Sequence, residues 1–263
     1  MSVHGSSSGA DTRVENDAGS TASVTSSQRP QAVVLVCEHA SNHIPPEFHS
    51  LGLTDAQLQS HIAWDPGAFA VAGYMRDQLG ATLVESSVSR LVYDCNRPPD
   101  APDAMPAASE IHTIPGNCHL TAADRQRRVD RYYRPFEQRV TAAIVEAKTR
   151  AVPLSLVTIH SFTPVYRGQQ RATQIGILHD SDARLADEML RLAEHHTPLA
   201  VHRNEPYSPT DGVTHTLLRH GLANGLPNVM IEIRNDLIAT DEQQQAMAAG
   251  LSGWLLDALS GVR

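Results

Sequence analysis

The sequence predicts one α/β domain, a mostly parallel central sheet with helices on both faces. Three observations predict it. Unbroken apolar runs at 32–37 (AVVLVC), 154–160 (LSLVTIH) and 228–233 (NVMIEI) read as strands covered on both sides. Segments with helical spacing separate them, the alternation that builds a parallel sheet. The 263 residues, 41% hydrophobic, suffice for one sizeable core, with no internal repeat or linker to divide it.

The elements follow in order. Residues 1–30, rich in Ser, Gly and Thr, offer almost nothing to bury and are expected to form a disordered tail before a domain over 31–263. After strand 32–37, Asp65 precedes a helix reaching Leu79, with Phe69, Ala72 and Leu79 on one face. Strands are expected at 81–86 and 90–94. The proline-rich span 96–120 lacks periodicity, the pattern of a functional loop or lid. Thr121 caps a helix over 121–149, with Asp124 in its first turn. Strands at 154–160 and 173–178, a helix at 182–196 and a strand at 199–202 come next. A helix over 212–224 stops at Gly225-Leu226-Pro227, and strand 228–233 and helix 241–259 complete the chain.

Lys and Arg total 21 against 29 Asp and Glu, a net charge of −8, and no basic block stands out. A nucleic-acid or anionic-membrane partner is therefore not expected. No apolar run approaches the ~20 residues that span a bilayer. The start of the chain lacks the charged and apolar regions of a secretory signal. Cys37, Cys95 and Cys118 show no CxxC spacing, which argues for a reducing compartment and a cytoplasmic location.

Ligands of open α/β sheets bind beyond the carboxyl ends of strands. Four apolar runs end in chemically capable residues: Glu38-His39 with Ser41-Asn42, Asp94-Cys95-Asn96-Arg97, His160-Ser161, and Glu232 with Arg234-Asn235-Asp236. A lone histidine at a strand end is more often structural, but two with carboxylates on one edge suit Zn²⁺. The motif HExxH is absent, so such a site must be assembled from distant segments. The third ligand could be Asp65, Glu38 or Asn42. Asp65 also suits a helix N-cap, followed by Pro66. Glu232, in an apolar strand, is either an ion-pair partner or a general base. Arg90, Arg97 and Arg234 suit an anionic substrate group, although some could neutralise Asp94, Glu232 or Asp236.

Taken together, the segments resemble the N-formylglutamate amidohydrolase family over roughly 32–260. The matching stretches include Cys37-Glu38-His39-Ala40-Ser41-Asn42-His43-Ile44-Pro45, Trp64-Asp65-Pro66-Gly67-Ala68, Ser89-Arg90 with Tyr93-Asp94-Cys95-Asn96-Arg97-Pro98, His160-Ser161-Phe162-Thr163-Pro164, Asn204-Glu205-Pro206-Tyr207-Ser208 and Ile231-Glu232-Ile233-Arg234-Asn235-Asp236. The resemblance implies a fold like the zinc-dependent exopeptidases and one zinc held by His39, Asp65 and His160. Asn42 stands where the carboxypeptidase pattern would have a Glu, so Asp65, as in cell-wall amidases, is the preferred second ligand. Glu232 would activate water, with Arg90, Asn96, Arg97, Ser161 and Arg234 as substrate-binding candidates. The expected reaction is hydrolysis of an N-acyl bond, N-formyl first, on a small amino-acid-like carboxylate. The rivals are a peptide or cell-wall amidase and a non-catalytic ligand-binding protein on the same fold.

Overall fold

The computed structural model describes Met1 and residues 31–262. The tail expected over 1–30 therefore lies, Met1 apart, outside the described residues. The strands are β1 (Ala32–Cys37), β2 (Thr82–Glu85), a small hairpin of β3 (Ala108–Ser109) and β4 (His112–Thr113), β5 (Leu154–Phe162), a second hairpin of β6 (Val165–Tyr166) and β7 (Gln169–Gln170), β8 (Ile175–Leu178), β9 (Val201–Arg203) and β10 (Asn228–Arg234). The helices are α1 (Asp55–Gln59), α2 (Ala68–Leu79), α3 (Ala122–Arg128), α4 (Arg134–Lys148), α5 (Arg184–His196) and α6 (Asp241–Gly261).

The central sheet has the order β2-β1-β5-β10-β8-β9. Only β8 against β10 is antiparallel; the other neighbouring pairs are parallel. The alternation of side chains along β1 decides its two faces. Val33, Leu35 and Cys37 pack under α2, α5 and α6, whereas Val34 and Val36 meet α4. In α2 the buried set is Ala68, Val71, Ala72 and Met75, one stripe at helical spacing. Phe69, expected on that stripe, is instead 40% exposed. Buried Trp254 of α6 donates its indole N–H to Met189 O at 2.8 Å, tying α6 to α5.

Thr121 and Asp124 form a reciprocal capping box at the start of α3. The single helix expected over 121–149 is interrupted by a π-helical turn at Val129–Tyr133. Pro135 explains it: proline has no N–H and its ring crowds the carbonyl four residues back, so the preceding turn widens. The expected helix at 212–224 likewise forms as π and 3-10 turns over Leu217–Asn224. The strand expected at 90–94 does not form. Leu91, Val92 and Tyr93 are buried in a loop, whose backbone bonds to Ser89, and Asp94 N donates to Ala104 O. Burial, not sheet pairing, accounts for their apolar character. Among the described residues no helix is long and apolar enough to cross a membrane.

Candidate active site

The carboxyl ends of β1, β5 and β10 converge on one edge. His39 follows β1 by two residues, while Glu232 and His160 are register partners across β10 and β5. Asp65 arrives from the loop before α2, where its backbone N–H donates to His39 O at 3.0 Å. The cap reading of Asp65 does not hold, because the residue preceding α2 is Gly67 and no side chain caps the helix. Gly67 has φ +82, and a Cβ there would lie 2.5 Å from Ile238 O. Only glycine allows this turn, which leaves the Asp65 carboxylate free to turn inward.

Asp65 Oδ2 lies 3.2 Å from His39 Nδ1 and 2.9 Å from His160 Nδ1, and the two Nδ1 atoms are 3.2 Å apart. Ser161 N–H donates to the same oxygen at 3.2 Å. The far side of each ring meets a carboxylate. His39 Nε2 donates to Asp94 Oδ1 at 2.7 Å. His160 Nε2 lies 3.0 Å from Glu38 Oε2, in a contact too bent for a well-aligned hydrogen bond. With His39 Nε2–H directed at Asp94 and His160 Nε2 set beside Glu38, both Nδ1 atoms and Asp65 Oδ2 face one small volume. Such a convergence requires a cation between them, either protons or a metal. Tetrahedral zinc with ligand bonds of about 2.0–2.1 Å has edges of about 3.3 Å, close to the separations seen. Carboxylates behind ligating histidines are the usual means of orienting them. The residues present therefore fit a divalent metal, with all three donors buried.

The electrostatics agree. Burial opposes the charged form of Asp65, yet His39 and His160 hold its carboxyl far below the usual range. Asp94, equally buried, is held down by His39 and Arg90. Burial would lower His160, but Glu38 and Asp65 raise it well above an ordinary histidine. Glu232 behaves oppositely: burial pushes its carboxyl up to about 7, His160 opposes and Asp65 adds to the rise. Its Oε2 has no hydrogen-bond partner.

These groups open into a cleft of about 810 Å³, which Arg90, Asn96, Arg97 and Ser161 also line. Arg90 spends its charge on Asp94 at 3.1 Å and Asp65 at 3.5 Å. The Asn96 amide is engaged at both ends, donating to Val213 O and accepting from Thr216 N. Arg97 donates from Nε to Asp103 at 2.7 Å and from Nη1 to Asn96 O, while Nη2 has no partner among the described residues. Ser161 Oγ donates to Pro66 O at 2.8 Å. Arg234 is not in the cleft lining; it forks onto Asp236 and reaches Arg171 O. Of the alternative ligands, Glu38 stands behind His160, and Asn42 donates to Leu58 O at 3.0 Å, away from the cluster.

Sequence reasoning missed the cleft's outer walls. One contains Glu110, at the turn between β3 and β4, which meets His61 Nε2 at 3.1 Å. The other contains Arg171 and Tyr207, from irregular segments beyond the β6–β7 hairpin. No periodicity marks loop residues, although Tyr207 did lie within a family-like stretch.

A family model described as N-formylglutamate amidohydrolase matches residues 31–239. A gene product of Agrobacterium tumefaciens of known crystal structure is 55% identical, with a TM-score of 0.84 over 87% of this chain and 90% of that one. The N-formylglutamate amidohydrolase of Ralstonia eutropha JMP134 is 21% identical, with a TM-score of 0.52 over 85% of this chain and 91% of that one, and shares the fold. No curated protein matches the chain.

Proposed function

The chain belongs to the N-formylglutamate amidohydrolase family, and from that premise we propose that it is a metal-dependent hydrolase of N-formyl amino acids bearing a free carboxylate. The observation that carries this reading is an unpartnered, buried Glu232 on the strand beside His160, facing the same cleft as the His39, Asp65 and His160 donors.

His39, Asp65 and His160 would hold the metal, zinc by preference for this donor set. When bound there, the metal would supply Lewis acidity for the carbonyl and for water near pH 7. Glu232 is the general base. Water loses its proton to the Glu232 carboxylate as its oxygen attacks the formyl carbon. The carboxylic acid then returns that proton to the leaving nitrogen as the C–N bond breaks, giving formate and the free amine. Burial raises the proton affinity of the Glu232 carboxylate, so it takes up the water proton more readily than a carboxylate in water would. Asp94 and Glu38 fix the two imidazole rings. Arg97 binds the α-carboxylate through its uncommitted Nη2, and loop 96–120 encloses that side of the cleft.

Formate release from N-formyl-L-glutamate tests the reading. Wild-type protein should turn the substrate over. Glu232→Gln should retain metal and lose about 10²–10⁴-fold in kcat. A Gln variant that keeps its metal and wild-type turnover would remove Glu232 from the mechanism.

A further inference from the structure

The geometry points to Arg171 as the residue that selects a second carboxylate, on the side chain of the substrate. This inference rests on the amidohydrolase reading above and adds a specificity residue to it.

The cleft is lined by several acids, including Asp65, Asp94, Asp103 and Glu232. Its inner arginines are already compensated: Arg90 by Asp65 and Asp94, and Arg97 by Asp103. Arg171 differs. Its partners among the described residues are neutral, namely Thr163 O at 3.4 Å and Tyr207 Oη at 3.2 Å, both taken by Nη1. A guanidinium has five N–H donors. Those on Nε and Nη2 take no partner among the described residues, and the side chain lines the cleft.

The surroundings hold this cation in place without neutralising it. Its guanidinium carbon lies 5.4 Å from the centre of the Phe162 ring, 4.6 Å from Tyr166 and 4.9 Å from Tyr207. Aromatic faces attract a cation while leaving its in-plane N–H groups unspent. They also strip water from the flat sides of the guanidinium, so a carboxylate approaching its edge competes with less hydration. The fork geometry then favours two parallel bonds. A structural staple for the β6–β7 hairpin would need only the Nη1 contacts.

The position suits the substrate. Phe162 follows His160 by two residues on β5, a rise of about 7 Å along the strand. Arg171, packed on the Phe162 ring, therefore lines the same cleft as the metal-ligand cluster, from a point further along β5. Arg167, the other cation of that wall, is exposed over Tyr166 and lacks this enclosure.

Steady-state kinetics on N-formyl-L-glutamate and N-formyl-L-glutamine separate this role from a structural one. Arg171→Met keeps contact with the rings and removes the charge; Arg171→Lys keeps the charge and loses the fork. Wild type should prefer the glutamate substrate. Arg171→Met should raise its KM by about 10–100-fold with kcat little changed, leave the glutamine substrate unaffected, and so abolish the preference. Arg171→Lys should recover part of it, and carries the comparison should the Met variant not fold. Equal losses on both substrates, or no wild-type preference between them, would overturn the assignment. Calorimetric binding of glutarate and butyrate distinguishes the two layers of the argument. If wild type hydrolyses neither substrate yet binds glutarate over butyrate, and Arg171→Met loses that selectivity, the anchor stands and the amidohydrolase reading falls. Turnover of both substrates with selectivity indifferent to Arg171 would do the reverse.

Discussion

Replacing Glu232 by Gln in metal-free protein should remove a pH-dependent cost that one buried carboxyl imposes on folding. Burial raises this group from its ordinary value of 4.5 to about 7. Below the lower value it is protonated in both folded and unfolded chains and imposes no differential cost. Between the two values the unfolded chain releases the proton and the folded chain retains it, so stability falls as pH rises. At about 1.4 kcal/mol per pH unit, the loss once pH exceeds the folded value is about 3 kcal/mol. Gln carries no charge at any of these pH values. The variant should therefore match wild type near the acid end and exceed it by about 3 kcal/mol at about pH 8. His39 and His160, both raised, contribute stability that is fully present below the unfolded histidine value of 6.5 and lost as pH rises through their folded values. Both proteins contain them, and their attraction for an ionised Glu232 is already part of the value of about 7, so the difference reads Glu232 together with its coupling to these histidines. Urea unfolding of the two proteins in chelator, from about pH 4 to about pH 8, reads the effect directly. Parallel stability curves across that window would refute the claim that Glu232 is held protonated by its surroundings.

Three further outcomes follow from the cluster and the cleft. His39→Ala and His160→Ala should each bind well below one zinc per chain by elemental analysis; full occupancy in either would remove that residue from the ligand set. Asp65→Ala should weaken zinc affinity, measured by competition with a chromophoric chelator, whereas Asn42→Ala should not, because its amide is directed at Leu58 O. The reverse order would exchange their roles. Arg97→Lys should raise KM about tenfold for substrates with a free α-carboxylate and leave their α-amides unchanged, since lysine cannot serve both Asp103 and a planar anion. Losses of equal size on acid and amide would make Arg97 a structural partner of Asp103.

The inner half of the site was legible because strand ends declare themselves. His160 and Glu232 stand where apolar runs become polar, and a parallel sheet brings such ends to one edge whatever the loops do. Asp65 was ambiguous, since Asp-Pro at a helix start is also a capping signature; only the turn at Gly67 decides which way the carboxylate faces. The apolar run at 91–93 misled because an apolar pattern reports burial: Leu91 and Val92 are buried among loop residues and Tyr93 in the cluster between β1 and α4, with none of them paired into the sheet. Likewise, nothing in 173–178 indicated that β8 would run against β10, as both directions bury an apolar strand equally well. Arg234 was placed on the correct edge by position, but Asp236, two residues on, captures its fork. Arg171 left no trace in any pattern: three aromatic rings from separate segments surround it, and their meeting is a property of the folded chain alone.

The central claim is that one metal held by His39, Asp65 and His160 is needed for hydrolysis of an N-formyl amino acid. Chelator-treated protein titrated with zinc, with formate release from N-formyl-L-glutamate followed at each addition, tests it most directly. Activity should start near zero, rise in proportion to added metal and level off at one equivalent per chain. Full turnover in the chelated protein, or none with one zinc bound, would contradict it.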